Sequence, residues 1–179
     1  MEMSFLLIQE VDEMAKIKND PLPVSKEAEV NRAQIEHRAT WMGLIHDEMV
    51  KRGIDADDIV REAIGRTGFF HGTRYKDGLK DKEDCVEFTE AFLPPVARET
   101  FGQDVTADHD NIEMVFHYCP LVAAWQKLGF DEERISTLCD LAMEGDRGIM
   151  RAMGLEFDLR ETIANGDDFC RLCLSRKNK

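Results

Sequence analysis

The hydrophobic period of this chain changes near Gly102, and the change narrows the folds open to it. Before that point the apolar residues follow a helical spacing. From Lys26 to Arg52, Val30, Ile35, Trp41, Leu44, Ile45 and Met49 form a stripe, with Ser25 placed to cap the start and Gly53 to end it. Beyond Gly102 the residues from Asp110 to Tyr118 alternate. Ile112, Met114, Phe116 and Tyr118 share one face, and Glu113, Val115 and His117 the other, which is the pattern of a strand. Helices first and strands later predict an α+β protein, with a helical N-terminal portion packed on a small antiparallel sheet with interposed helices in the C-terminal half. The expected division is 1–102 for the helical portion and 103–179 for an α+β portion rich in Cys and Asp, within one compact domain overall.

Local breakers refine this plan. Asn19-Asp20-Pro21-Leu22-Pro23 separates the first segment from the rest, because two prolines cannot continue a helix. Asp55 to Asp58 reads as the capping box of a second helix running through Ile64 and stopped by Gly65 and Gly68. A charged connection covers Lys76 to Asp84, a third helix spans about Lys82 to Phe92, and Pro94-Pro95 restarts the chain before Gly102. Pro120 ends the strand and suits the first turn of a helix over Leu121 to Leu128, stopped by Gly129. Asp131 caps a further helix reaching Glu144, with Ile135, Leu138, Leu141 and Ala142 inward. Asp158 and Glu161 suggest a short helix closed by Asn165-Gly166, and Phe169 to Ser175 a final strand.

With 43% hydrophobic and 33% charged residues over 179 positions, the chain has the composition of a globular domain with a substantial core. Its 36 acids against 23 bases leave a net charge of -13, which argues against nucleic acid and an anionic membrane as partners. No apolar run approaches the roughly 18 to 20 residues that span a bilayer. Phe5-Leu6-Leu7-Ile8 lacks a basic leader and is followed by Glu10, Asp12 and Glu13, so it reads as an amphipathic helix or a partner-docking arm, the latter consistent with a homodimer, rather than as a signal peptide. Five cysteines in such a chain are expected to be reduced thiols in the cytoplasm.

Four of those cysteines fall late in the chain among carboxylates. On a strand, His117 and Cys119 would point to the same side, as nucleophile and base or as two metal ligands; the bland alternative is a buried small thiol beside a surface histidine. Cys170 and Cys173, three apart on a strand, would face opposite sides and could not grip one ion. A metal site for a divalent cation would instead need Cys119, Cys139 and Cys170, with His117, to meet in the folded chain. Asp140 and Glu144 share one helical face, where like charges repel and tend to raise a carboxyl pKa, for acid–base work, for binding a cation or simply as a solvated face. Asp167 and Asp168 suit either a site or a turn. Glu144-Gly145-Asp146-Arg147-Gly148 reads as a ligand loop, with glycines for close approach and Arg147 for a carboxylate, or as a helix end carrying an internal ion pair.

Three stretches then carry a family resemblance: His117-Tyr118-Cys119-Pro120-Leu121-Val122-Ala123-Ala124-Trp125, Leu138-Cys139-Asp140-Leu141-Ala142-Met143-Glu144-Gly145-Asp146, and Thr162-Ile163-Ala164-Asn165-Gly166-Asp167-Asp168-Phe169-Cys170. Together they resemble the L-2-amino-thiazoline-4-carboxylic acid hydrolase family, over about Val115 to Leu174. The resemblance implies a cytoplasmic hydrolase that acts on a carbon–nitrogen bond of a cyclic amidine-like ring bearing a carboxylate, toward carbamoyl-cysteine and L-cysteine, hence cysteine biosynthesis. Cys119, Cys139, Asp140, Gly166, Asp167 and Cys170 fall on the family-like pattern. The expected catalytic set is Cys119, His117, Asp140 and Asp167, with Arg147, Asp146, Glu144, Gly166 and Asp168 around a small-molecule substrate. The alternative is a module that binds a metal, cluster or small ligand as a sensor, without turnover.

Overall fold

In the computed structural model, which describes residues 17–177, Ser25 opens the first helix as its sequence context predicts. Its hydroxyl oxygen accepts from the Ala28 amide at 3.2 Å and donates to Glu99 Oε2 at 2.7 Å, so one residue both caps α1 (Lys26–Lys51) and ties it to the helix that carries Glu99. Ser25→Ala is expected to cost about 1 kcal/mol, read from the midpoint of urea unfolding. The arm at Phe5 to Ile8 lies outside the described residues.

The chain continues through α2 (Ala56–Gly78), α3 (Cys85–Phe92) and α4 (Pro95–Phe101) into β1 (Gln103–Ala107) and β2 (Asn111–Phe116). Then come α5 (Pro120–Lys127), α6 (Glu132–Met153), β3 (Leu155–Glu161), a 3-10 turn (Ile163–Asn165) and β4 (Cys170–Arg176). The four strands form one antiparallel sheet in the order β1-β2-β4-β3. This is the α+β architecture that the change of period implies. Asp108 turns β1 into β2, its Oδ1 accepting from the amides of Asp110 and Asn111.

Alternation sets which side of the sheet is covered. Ile112, Met114, Leu172 and Leu174 are buried against Phe88 of α3 and Met150 and Met153 of α6. A second apolar cluster joins Ala39 of α1, Val122 and Trp125 of α5, Leu138 of α6 and Ile163 of the 3-10 turn. Trp125 locks it by donating its indole N–H to the Ala39 carbonyl at 3.0 Å.

The structure corrects the stripe expected on α1. Trp41, Ile45 and Val30 are more than half exposed, and Leu44 is also exposed. The buried side of α1 is Ala28, Arg32, Ile35, Ala39, Gly43, His46 and Asp47. At Gly43 the neighbours come close, and a Cβ there would stand 3.0 Å from both the Phe130 and Trp125 rings. The polar members are paired. Arg32 donates to the carbonyls of Thr100 and Leu22 and lies over the Tyr118 ring, His46 bonds Asp57, and Asp47 pairs with Arg134 and Lys51.

Two helix ends are corrected as well. Gly65 and Gly68 do not stop α2, and Glu144 does not stop α6; both helices run through their glycines. A Cβ on Gly68 would lie 1.9 Å from the Gly145 carbonyl oxygen, one on Gly148 2.3 Å from that of Gly65, and one on Gly72 2.6 Å from that of Ile149. The glycines are thus where two helix backbones touch, not where they end. The capping box read at Asp158 and Glu161 is likewise part of strand β3, and only the 3-10 turn and its closing Gly166, at φ +89°, remain of the short helix expected there.

Candidate active site

Cys119 does not extend the β2 strand. That strand ends at Phe116, and Cys119 is the N-cap of α5, directly before Pro120 in the first turn. Asn19 holds its backbone at two points, accepting from the Cys119 amide at 2.8 Å and donating to the Cys119 carbonyl at 2.9 Å. The amides of Val122 and Leu121 face the sulfur and favour its thiolate, but burial outweighs them and pushes the resting thiol above the usual range.

Cys139 of α6 and Cys170 of β4 pack on the same apolar cluster as Cys119. Each of the three thiols is within electrostatic range of the other two. Burial raises Cys139 well above an ordinary thiol and pushes Cys170 to about 12; the Cys170 sulfur also accepts from the Ile163 amide at 3.3 Å. Cys173 sits across the strand from that direction, among Glu113, Asp158 and Arg160 on the other face of the sheet. These three gathered thiols are the side chains considered above for a metal. Among the described residues no group of three or more His, Cys, Asp and Glu side chains is arranged to hold one.

Asp146 completes the cluster. It follows Cys139 by seven residues, two turns along α6, and so points the same way. Burial lifts its carboxyl to about 6, although Arg38 and Arg147 pull it down. The same carboxylate and Arg38 of α1 both act on Cys119, so Arg38, Cys119, Asp146 and the other two thiols form one electrostatic unit at the meeting of α1, α5, α6 and β4. Cys119 and Asp146 each retain some solvent contact, so the unit is deep without being sealed.

The remaining expected residues lie apart from it in two groups. Asp140, Glu144 and Arg147 occupy a different side of α6 and face α2. Arg147 donates to Asp140 Oδ1 at 2.7 Å and to Glu144 Oε1 at 2.9 Å, and Arg61 reaches Asp140 Oδ2 at 2.8 Å. Arg151 adds a further contact to Glu144. Asp140 and Glu144 do share one face, but guanidinium groups sit between them. Burial alone would raise the Asp140 carboxyl; Arg61 and Arg147 hold it below the usual range instead. The stretch read as a ligand loop is therefore mid-helix, and Arg147 is already bonded to two carboxylates.

The third group is turn chemistry. Asp167 Oδ2 accepts from the Thr162 amide at 2.8 Å, Gly166 supplies the positive φ, and Asp168 is exposed. His117 is exposed, with Nε2 bonded to Asp104 Oδ2 at 2.8 Å and its ring near Phe169. Sequence reasoning missed Arg38 and Asn19. Nothing in the pattern of α1 singles out Arg38, and Asn19 reads only as part of a helix breaker. The pairing of Cys139 with Asp146 was available from their spacing, had the helix not been ended at Glu144.

Helices laid on one side of a four-stranded antiparallel sheet, with three thiols gathered at the join, define the class. Residues 32–174 match the L-2-amino-thiazoline-4-carboxylic acid hydrolase family, and the chain belongs to it. No curated protein sequence matches the chain. Among solved structures it is similar to a trafficking protein particle complex subunit 3 from Naegleria fowleri covalently bound to palmitic acid, with 17% identity, a TM-score of 0.53, and coverage of 84% of this chain and 97% of that one. That likeness is one of fold. No helix among the described residues is long and apolar enough to cross a membrane.

Proposed function

We propose that the protein hydrolyses a small cyclic thiazoline carboxylate of the 2-amino-thiazoline-4-carboxylate type, with Cys119 as nucleophile, Asp146 as its proton acceptor and Arg38 as the anchor for the substrate carboxylate. The observation that carries this reading is the electrostatic unit of Arg38, Cys119 and Asp146 beside an apolar wall. A carboxyl near pH 6 can take a thiol proton and return it within one turnover. Arg38 has no ion pair among the described residues, in contrast to Arg147, so its guanidinium is available to an incoming carboxylate.

The steps balance with one water. Asp146 takes the proton of Cys119, and the thiolate, favoured by the two α5 amides, attacks carbon 2 of the ring. The bond from carbon 2 to the ring sulfur breaks, and that sulfur leaves with the proton held by Asp146. Water then attacks the same carbon while Asp146 accepts a proton from it. The bond to Cys119 breaks and the thiol is reprotonated. The product is N-carbamoyl-cysteine, with one new free thiol per substrate consumed.

Turnover of 2-amino-thiazoline-4-carboxylate can be followed by the appearance of that thiol. Cys119→Ala is expected to lower kcat/KM by at least about 10³-fold, and Cys139→Ala, which leaves nucleophile and base in place, by much less. Full activity in Cys119→Ala would remove the covalent route, and absence of turnover by the unaltered protein would remove the substrate assignment.

A second reading has one observation in its favour. The structural neighbour is covalently bound to palmitic acid, and this chain presents a largely buried thiol, Cys119, against apolar side chains, a setting suited to an acyl thioester. Intact mass after incubation with palmitoyl-coenzyme A decides it: a single added acyl group on Cys119, together with no thiazoline turnover, would favour this reading over the hydrolase.

A further inference from the structure

The side of α2 and α6 that faces away from the thiols carries a groove of about 670 Å³. Arg61, Arg66, Arg74 and Arg151 line it, with Phe69 and Phe70 at 51% and 60% exposure. Two carboxylates also line it, Glu62 and Glu144, and the second is already shared among arginines. Arg66 and Arg74 are exposed and form no ion pair among the described residues; Arg74 lies only near the Phe70 ring. In a chain of net charge -13, a basic groove floored by two exposed rings is out of character with the rest of the surface. Its occupant should be acidic and apolar at once.

Residues 1–16 of this chain have that composition. They hold Glu2, Glu10, Asp12 and Glu13 against Lys16 as the one basic side chain, and Met3, Leu7, Val11 and Met14 recur at the spacing of one helical face, beside Phe5, Leu6 and Ile8. The segment can also reach. The described chain starts at Ile17, whose amide donates to Glu132 Oε1 at the first residue of α6. Glu144 and Arg151 stand about 18 and 28 Å farther along that helix. Sixteen residues reach about 24 Å as a helix and up to about 55 Å extended.

We propose that residues 1–16 dock in the α2–α6 groove of their own chain, with acidic side chains on Arg66 and Arg74 and apolar ones on Phe69 and Phe70. The contact is a helix-in-groove or arm-in-groove interaction, steered by charge and held by apolar burial. It accounts for both exposed phenylalanines and both unpaired arginines without a further partner.

Hydrogen exchange of the full-length protein tests it. Amides in residues 2–16 are expected to exchange at least about 10-fold more slowly than in a free peptide of the same sequence. Arg66→Glu with Arg74→Glu should abolish that protection, and adding Glu10→Arg with Glu13→Arg should restore it. The restoration separates a charge contact from general damage to α2. Exchange as fast as in the free peptide, or protection that survives the arginine reversal, would overturn the proposal. Protection that falls on dilution would overturn the intramolecular form and assign the groove to the arm of a second copy.

Discussion

Gly68→Ala is expected to destabilise the protein by at least about 3 kcal/mol, lowering the thermal midpoint by roughly 10 °C or preventing folding. The reason is geometric. The added methyl carbon would stand 1.9 Å from the Gly145 carbonyl oxygen and 2.8 Å from its carbon. These are backbone atoms in the middle of a helix, so no rotamer change can move them aside, and α2 and α6 must separate by more than an ångström. Separation would draw Arg61 away from Asp140 and Glu144 and shift the turn of α6 that carries Asp146. Gly78→Ala is the control. It lies at the end of the same helix with nothing within 4 Å, and should be neutral or stabilising by up to about 1 kcal/mol. Far-UV circular dichroism during thermal unfolding of both variants reads the contrast. A Gly68→Ala protein that melts within a few degrees of the unaltered one would mean that the two backbones do not touch there.

The same seam explains where the sequence misleads. Gly65, Gly68, Gly145 and Gly148 look like stops because glycine is the commonest residue just past a helix end. Nothing local distinguishes a glycine that ends a helix from one that admits a second helix, since the partner that settles it lies about eighty residues away. Signals complete within a few residues are read correctly. Ser25 and Asp131 each accept a backbone N–H at a helix start, and Pro120 opens α5. Strand β3 alternates in sequence, with Leu155, Phe157 and Leu159 against Glu156, Asp158 and Arg160, but Asp158 and Glu161 also resemble a capping box. Sheet pairing with β4 resolves that ambiguity, and pairing is a tertiary fact.

The site divides along the same line. Cys119, Cys139 and Cys170 stand out by residue type and do come together, because α5, α6 and β4 each deliver one thiol to the same apolar cluster. Polar residues such as Asp140, Arg147 and Asp167 stand out equally by type, yet they serve an ion-pair lattice and a turn. Composition cannot separate these cases, whereas the environment of each charge can. Arg38 illustrates the converse: an ordinary helix-surface arginine in sequence, it gains meaning only from the thiol and carboxylate it faces.

Asp146→Asn is expected to make the protein more stable at pH 8 and less active, and the two effects share one cause. Burial lifts the Asp146 carboxyl to about 6 from its ordinary 3.8. The folded protein therefore favours the protonated form, and between those two values it binds more protons than the unfolded chain. Stability falls as pH rises through that window, and the full penalty is present above about 6. Asparagine keeps the shape without the charge. It should recover about 2 kcal/mol at pH 8, after allowance for the partial solvent contact of the side chain, and little at pH 3.5. The urea midpoint measured at both pH values checks the sign. Activity should move the other way. In the unaltered protein kcat/KM should rise with pH through about 6, as Asp146 becomes able to take the Cys119 proton, and Asp146→Asn should lose that limb with a fall of about 10² to 10⁴. A carboxylate kept at a cost to stability beside a thiol is what a working base would look like. If the variant were no more stable at pH 8, the carboxyl would not be raised by burial; if it were stabilised yet fully active, the base would have to be sought elsewhere around Cys119.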